Sequence, residues 1–178
     1  LGQDNGTGAT FSGNFGISYG DGSTTGTASR IEKNGTGTQT LSGNLNLGSA
    51  GTVTVNDGGL ILTTTSANSY SGGTTINGGL LSLGTGGGVT SHQDALGTGS
   101  VTVNSGGELQ LWISNTGTFT IDNAMTLDGG TVHGEDGIYN LTGGMTLNAG
   151  GGTLSGKWTG KGLRVSGTIS GAGALTID

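Results

Sequence analysis

The sequence predicts an all-β protein, namely a single-stranded parallel β-solenoid of about eight coils with roughly 20–25 residues each. The first observation is composition: Gly (43), Thr (30), Ser (17) and Asn (13) make up 103 of the 178 residues, and all four disfavour helix. The second is a recurring unit of apolar residue, Thr, apolar residue, Asn or Asp, and a Gly pair. The third is the absence of proline, which sets the chain apart from most glycine-rich disordered segments.

Each unit predicts two short strands joined by a corner. Period-two alternation places the apolar residues on one face and the central Thr on the other. Glycine at positive φ turns the chain, and a second strand follows, as at residues 60–62. One coil cannot bury its apolar side chains alone, so the coils must stack. The copies occupy residues 53–59, 75–79, 101–107, 125–130 and 145–151, and a further copy begins at 175–178.

We expect one domain over residues 1–178, with recognisable repeats at 31–178 and irregular first coils at 1–30. In residues 1–30, Phe11, Phe15, Ile17 and Tyr19 alternate with polar or glycine positions. The Asn and Asp residues of the repeats should lie at equivalent corners and form a side-chain ladder, which a carboxylate at position 128 would end or weaken. The expected ladder comprises Asn56, Asn77, Asn104, Asp128 and Asn148.

Composition excludes several classes of function. The chain has no cysteine, which removes disulfides and thiolate metal sites. A pI near 4.5 with five basic residues argues against nucleic acid as a partner, because such binding needs clustered cations. No apolar run approaches the length of a membrane span, so we expect no direct membrane insertion by this segment. We expect no cofactor.

The densest polar cluster is His133, Glu135 and Asp136. Imidazole and carboxylates are ligands for divalent metals, so these residues are the candidate metal site; the alternative is a solvated loop between coils. No catalytic residues are predicted, because no close pair of acids falls on a strand face and neither histidine lies in a motif with Ser and Asp. The chain is therefore expected not to be an enzyme.

Two tryptophans are candidate surface contacts. Trp112 is in phase with Gln110, so alternation points it outward, where a sugar, a covering loop or another copy of the protein would contact it. Trp158 lies between Lys157 and Lys161, which suits an acidic partner or a covering loop. A threonine column raises the alternative of ice binding, although each repeat supplies one column only. Its members are Thr54, Thr75, Thr102, Thr126, Thr146 and Thr176.

Residues 68–84 and 95–107 closely resemble the autotransporter passenger-associated strand repeat, and residues 31–42 and 165–178 resemble its linking half. The resemblance implies a right-handed parallel β-helix that is secreted or exposed on the bacterial cell surface, as one section of a longer passenger. It implies little about activity.

These observations predict a non-enzymatic extracellular structural or adhesive β-helix, a stalk or passenger segment that displays loops at the bacterial surface. Its partners would be a host or cell-surface ligand. The main alternative is a subunit of a self-assembling extracellular filament, in which solenoid ends with unpaired strand edges stack head to tail. A polysaccharide-acting enzyme and an ice-binding protein are further alternatives with less support from the residues.

Overall fold

The computed structural model describes residues 9–11, 15–16, 29–85, 91, 93–113, 116–157 and 159–178, with side chains from residue 29 onward. These residues form short parallel strands and no helix. Equivalent strands of successive coils pair with each other, so the chain is a parallel β-solenoid, which confirms the predicted fold class.

The largest sheet, sheet A, has eight strands and contains the strand that follows each corner. In spatial order its strands are β1 (Ala9–Phe11), β4 (Thr38–Leu41), β7 (Gly59–Leu62), β9 (Gly79–Leu83), β11 (Gly107–Leu111), β14 (Gly130–Gly134), β17 (Gly152–Gly156) and β20 (Leu175–Ile177).

The second sheet, sheet B, has seven strands and contains the strand that precedes each corner. In spatial order its strands are β3 (Arg30–Lys33), β6 (Thr52–Val55), β8 (Thr74–Ile76), β10 (Val101–Asn104), β13 (Met125–Asp128), β16 (Met145–Leu147) and β19 (Ile169–Gly171).

The remaining strands form a third side that is less regular. Sheet C consists of β12 (Thr118–Ile121), β15 (Ile138–Leu141) and β18 (Gly162–Val165), and β2 (Phe15–Gly16) pairs with β5 (Leu45–Asn46). Thus β1 and β2, from the segment expected to form irregular first coils, stack in register on β4 and β5. Ile17 and Tyr19 lie outside the described residues.

The core is a set of apolar columns that run along the axis. In sheet A, Leu60, Leu81, Leu109 and Val132 pair in register, and all four are fully buried. Burying such a side chain contributes about 1.5–3 kcal/mol relative to exposure. Because each coil contributes one buried side chain to every column, the apolar interior stabilises the stack and fixes its register.

Glycine at the corner is required by backbone geometry. Gly58 and Gly79 have φ of 67° and 69°, which L side chains rarely adopt. A Cβ atom at Gly58 would also clash with the carbonyl oxygen of Gly35, and a Cβ atom at Gly79 would clash with the carbonyl oxygen of Gly58. The Gly pairs of the repeat therefore let neighbouring corners stack closely.

The solenoid has about six turns, a minor difference from the eight coils expected, and sheet A stacks eight strands. Coil lengths vary, in agreement with the uneven spacing of the repeats in the sequence. The register steps from Thr74 to Val101 by 27 residues and from Met125 to Met145 by 20 residues. The longer step includes residues 84–95, which lie between β9 and β10 and lengthen that coil.

No helix with the length and hydropathy of a membrane span is found in the described part of the chain.

Candidate functional site

A row of side-chain amides follows the corner between sheets B and A. Asn56 Nδ2 donates a hydrogen bond to Asn34 Oδ1 over 2.7 Å. Asn77 Nδ2 donates to Asn56 Oδ1 over 2.8 Å, and Asn104 Nδ2 donates to Asn77 Oδ1 over 2.8 Å. We call these four residues the amide ladder. Asn56 and Asn77 each donate to the coil before and accept from the coil after, Asn34 accepts and Asn104 donates, so one hydrogen-bond direction runs through four coils.

The amide ladder stops where the repeat carries a carboxylate. Asp128 pairs in register with Asn104, but a carboxylate has no proton to donate to Asn104 Oδ1. Asp128 Oδ1 instead accepts a hydrogen bond from the Gly150 backbone N–H over 2.8 Å. Asn148 lies at the next corner with an exposed side chain. The sequence prediction omitted Asn34, because Glu32 and Lys33 stand where the repeat has Thr and its second apolar residue.

A second polar row lies on the outer face of sheet A. Ser82, Gln110, His133 and Ser155 pair in register on β9, β11, β14 and β17. Ser82 Oγ donates to Gln110 Oε1 over 2.9 Å, and Ser155 Oγ is hydrogen-bonded to His133 Nδ1 over 2.7 Å. His133 therefore belongs to a strand, and the alternative of a solvated loop between coils does not describe its position.

Glu135 is the centre of this polar cluster. Its side chain is only 7% exposed, and its Oε2 lies 2.9 Å from Lys157 Nζ. Gln110 Nε2 donates to Glu135 Oε1 over 3.1 Å, and His133 Nε2 lies 3.5 Å from the same oxygen. The hydrogen bond to Glu135 raises the pKa of Lys157, and the charge of Asp136 adds to that increase. The buried carboxylate of Glu135 is thus paired with the ammonium group of Lys157 and the amide of Gln110.

This arrangement leaves few ligand atoms for a metal ion. The described residues contain no group of three or more His, Cys, Asp or Glu side chains that would hold one. Lys157 and Gln110 contact the two Glu135 oxygens, and Ser155 contacts His133 Nδ1. The predicted metal candidates His133 and Glu135 are neighbours, and His133 Nδ1 and both Glu135 oxygens have partners within the protein.

The row Ser155, His133, Glu135 has the order of nucleophile, base and acid in serine hydrolases. The sequence did not indicate this proximity, because His133 and Ser155 are brought together only by the register of β14 and β17. The 3.5 Å between His133 Nε2 and Glu135 Oε1 exceeds a normal hydrogen bond, and Glu135 is already paired with Lys157. Geometry therefore favours a structural network over an assembled triad.

Trp112 is half-buried at the end of β11 and its indole nitrogen is buried. Lys157 Nζ lies 5.5 Å from the centroid of the Trp112 ring, within cation–π range. Lys157 therefore joins Trp112 to Glu135. Trp158 lies outside the described residues.

The threonine column lies on the outer face of sheet B. Strand register stacks its first five members over five successive coils: Thr54, Thr75, Thr102, Thr126 and Thr146. The sixth predicted member, Thr176, is on sheet A, where it pairs with Thr153. Ser170 follows Thr146 in the column. The error arose because the apolar-Thr-apolar pattern occurs on both sheets at the end of the chain.

An open groove of about 620 Å³ lies between the corner and the outer face of sheet A. Corner glycines of four successive coils form its floor, and Gln110 connects it to the polar row. We call it the glycine groove, and the sequence did not indicate it. Its lining residues are Gly58, Gly79, Leu80, Gly106, Gly107, Glu108, Gln110, Gly129 and Thr131.

Lys33 is a charged residue in an apolar column of sheet B, where it pairs with Val55 and is fully buried. Its Nζ donates to the backbone carbonyls of Asn34, Gly35 and Asp57 at 3.0, 2.5 and 3.1 Å. Burial lowers the pKa of Lys33, and the charge of Asp57 opposes that shift. The ammonium thus caps the first described corner from inside.

Comparison with known proteins finds no relative of this chain. No protein-family model, curated protein or solved structure matches the chain. The resemblance to the passenger-associated repeat therefore remains a prediction from the residues.

Proposed function

We propose that this chain is a non-enzymatic structural and adhesive segment on the bacterial surface, a rigid stalk in which a parallel β-solenoid displays binding surfaces. The observation that carries the proposal is the continuity of ordered columns along the axis. Apolar columns, the amide ladder and the outer polar row each cross several coils. Such columns favour a stiff rod, about 34 Å long over the seven spacings of ~4.8 Å between the eight strands of sheet A.

The chemistry of the surface supports a binding role over catalysis. The polar row and Glu135 are held by internal hydrogen bonds and an ion pair, as expected for a fixed recognition surface. The predicted resemblance to autotransporter passengers supports placement outside the cell.

Immunogold labelling of source cells with an antibody against this chain tests the proposal. We expect labelling on intact cells, equal to that on permeabilised cells. Labelling confined to permeabilised cells would refute the extracellular role. An antibody against a cytosolic protein serves as the control for cell integrity.

A second candidate is the filament subunit predicted from the sequence, which requires that the end coil of one copy stack on another copy. The last described coil presents a cavity of about 420 Å³ with a largely apolar lining that includes Leu163, Val165 and Leu175. Beside it Ile169 is 42% exposed and Ile177 is 72% exposed. The outer edges of β18, β19 and β20 pair with no described strand. Another coil would cover this surface and extend all three sheets.

Negative-stain electron microscopy over a concentration series separates the two candidates. A stalk segment should give short isolated rods at every concentration, whereas a filament subunit should give long fibres of constant width. Ile177→Lys should abolish fibres if the end stacks, while Thr126→Lys on the side of the rod should leave them intact. Fibres that persist in Ile177→Lys would contradict end stacking.

A further inference from the structure

The floor of the glycine groove is free of side chains because of the corner geometry. Gly58, Gly79, Gly106 and Gly129 all have φ between 67° and 86°, so larger residues are disfavoured there. The four glycines belong to four successive coils, which gives the groove a length of about 14 Å along the axis from three spacings of ~4.8 Å. The solenoid repeat thus produces a straight trough parallel to its axis.

The side chains that line the trough present mixed chemistry. Glu108, Gln110 and Thr131 contribute a carboxylate, an amide and a hydroxyl, and Leu80 contributes an aliphatic surface. Sugars offer the matching groups, since their hydroxyls donate and accept hydrogen bonds and their C–H faces pack on apolar surface.

Gln110 is held in place before any ligand arrives. Its Oε1 accepts from Ser82 Oγ over 2.9 Å, and its Nε2 donates to Glu135 Oε1 over 3.1 Å. The ion pair with Lys157 in turn fixes Glu135. A preorganised amide loses little conformational entropy on binding, so the network behind Gln110 favours recognition at the groove.

The charge of the groove disfavours acidic polysaccharides as ligands, and the pairing of its strands disfavours peptides. No lysine or arginine is among the described residues that line the groove, and Glu108 is an acid, so an acidic polysaccharide would be repelled. The chain as a whole carries a formal net charge of −6. A peptide would bind by adding a strand to a free sheet edge, but β7, β9, β11 and β14 are paired on both sides.

We infer that the glycine groove binds a neutral polysaccharide, with the sugar chain extended along the solenoid axis. This inference rests on the adhesive function proposed above and names its ligand class. The sugar rings lie over the corner glycines, and Gln110, Glu108 and Thr131 provide the polar contacts.

Affinity gel electrophoresis of the purified chain tests the inference. The probes are four neutral polysaccharides (dextran, laminarin, galactomannan and xyloglucan) and two acidic ones (alginate and polygalacturonate). We expect at least one neutral polysaccharide to retard the chain and neither acidic one to do so. Absence of retardation by all four neutral probes, or equal retardation by acidic probes, would overturn the inference.

Two tryptophan variants locate the binding surface. Thr131→Trp places an indole in the groove, and Thr126→Trp places one on the outer face of sheet B, at a similarly half-exposed position of the preceding strand. We expect Thr131→Trp to weaken retardation at least tenfold and Thr126→Trp to leave it unchanged, with thermal unfolding showing that both fold. Equal effects of the two variants would contradict binding in the groove. Surface labelling of intact cells without retardation by any neutral probe would refute the ligand class while leaving the stalk function intact.

Discussion

Replacing Asn77 with aspartate tests whether the amide ladder stabilises the solenoid. Asn77 Nδ2 donates to Asn56 Oδ1 and Asn77 Oδ1 accepts from Asn104 Nδ2, both over 2.8 Å. An aspartate keeps the acceptor, loses the donor and brings a negative charge to the oxygen of Asn56. The lost hydrogen bond contributes about 0.5–1.5 kcal/mol, and exposure of Asn77 to solvent keeps the added repulsion small. We expect Asn77→Asp to lower the free energy of unfolding by about 1 kcal/mol at neutral pH.

The pH dependence of this loss follows from the proton that the aspartate can regain. A protonated carboxyl donates to Asn56 Oδ1, and a hydrogen bond from the neutral form raises the pKa in the folded state above the unfolded value of about 3.9. A raised folded-state pKa gives stability that is complete below the unfolded pKa and is lost as pH rises through the folded pKa. The deficit of Asn77→Asp should therefore shrink as pH falls toward the unfolded pKa of about 3.9.

Urea unfolding of the variant and of the wild type measures both effects. A loss of about 1 kcal/mol lowers the urea midpoint by about 0.3–1 M, since m is about 1–3 kcal/mol per M. Asn148→Asp is the matched control, because Asn148 occupies the same corner beyond Asp128 and its exposed side chain is outside the amide ladder. We expect this control to change stability by less than about 0.5 kcal/mol. Equal midpoints for the two variants, or a deficit independent of pH, would refute a stabilising role of the amide ladder.

Three further variants address other parts of the fold. Burial lowers the folded-state pKa of Lys33, so its charged form carries a penalty that fades as pH rises toward the unfolded pKa of about 10.4. Urea midpoints should therefore show wild type gaining on Lys33→Met as pH rises toward about 10.4. Gly58→Ala should lower the melting temperature more than Gly106→Ala, because an added Cβ contacts backbone oxygens at Gly58 and nothing within 4 Å at Gly106; equal losses would contradict the close stacking of corners. Glu135→Gln should lower the pKa of Lys157, measured by NMR titration, because the hydrogen bond to the carboxylate raises it. An unchanged Lys157 titration would mean that the pair does not persist in solution.

The repeat predicted the fold because both of its periods are visible in the sequence. These are the two-residue alternation within a strand and the recurrence of the whole unit from coil to coil. Alternation defined the strands, and the recurring Gly pair defined the corners. The number of coils was close, since sheet A has eight stacked strands and the solenoid has about six turns. The corner positions of Asn56, Asn77 and Asn104 were also readable, because identical residues at identical repeat positions stack.

Contacts between different repeat positions could not be read in this way. Lys157 and Glu135 meet because 22 residues happen to make one coil there, as the hydrogen bond from the Lys157 backbone to Gly134 shows. Lys33 departs from the apolar pattern of its column, and only the stacked carbonyls around its ammonium explain why it is tolerated. The glycine groove forms only when glycines from four coils stack, because their lack of side chains opens the space. A single repeat in the sequence therefore does not indicate it.

The variable coil length has a mechanical consequence for the proposed surface stalk under tension. A coil with a neighbour on one side only would detach before an inner coil, because every inner strand of sheets A and B is paired on both sides. Each coil that peels away releases its own contour length. The 20-residue step at Met125 and the 27-residue step at Thr74 correspond to about 70 and about 90 Å of extended chain at ~3.4 Å per residue. A short solenoid would thus extend into a much longer unfolded chain, one coil at a time. Each coil that unfolds would dissipate part of the load on the proposed stalk.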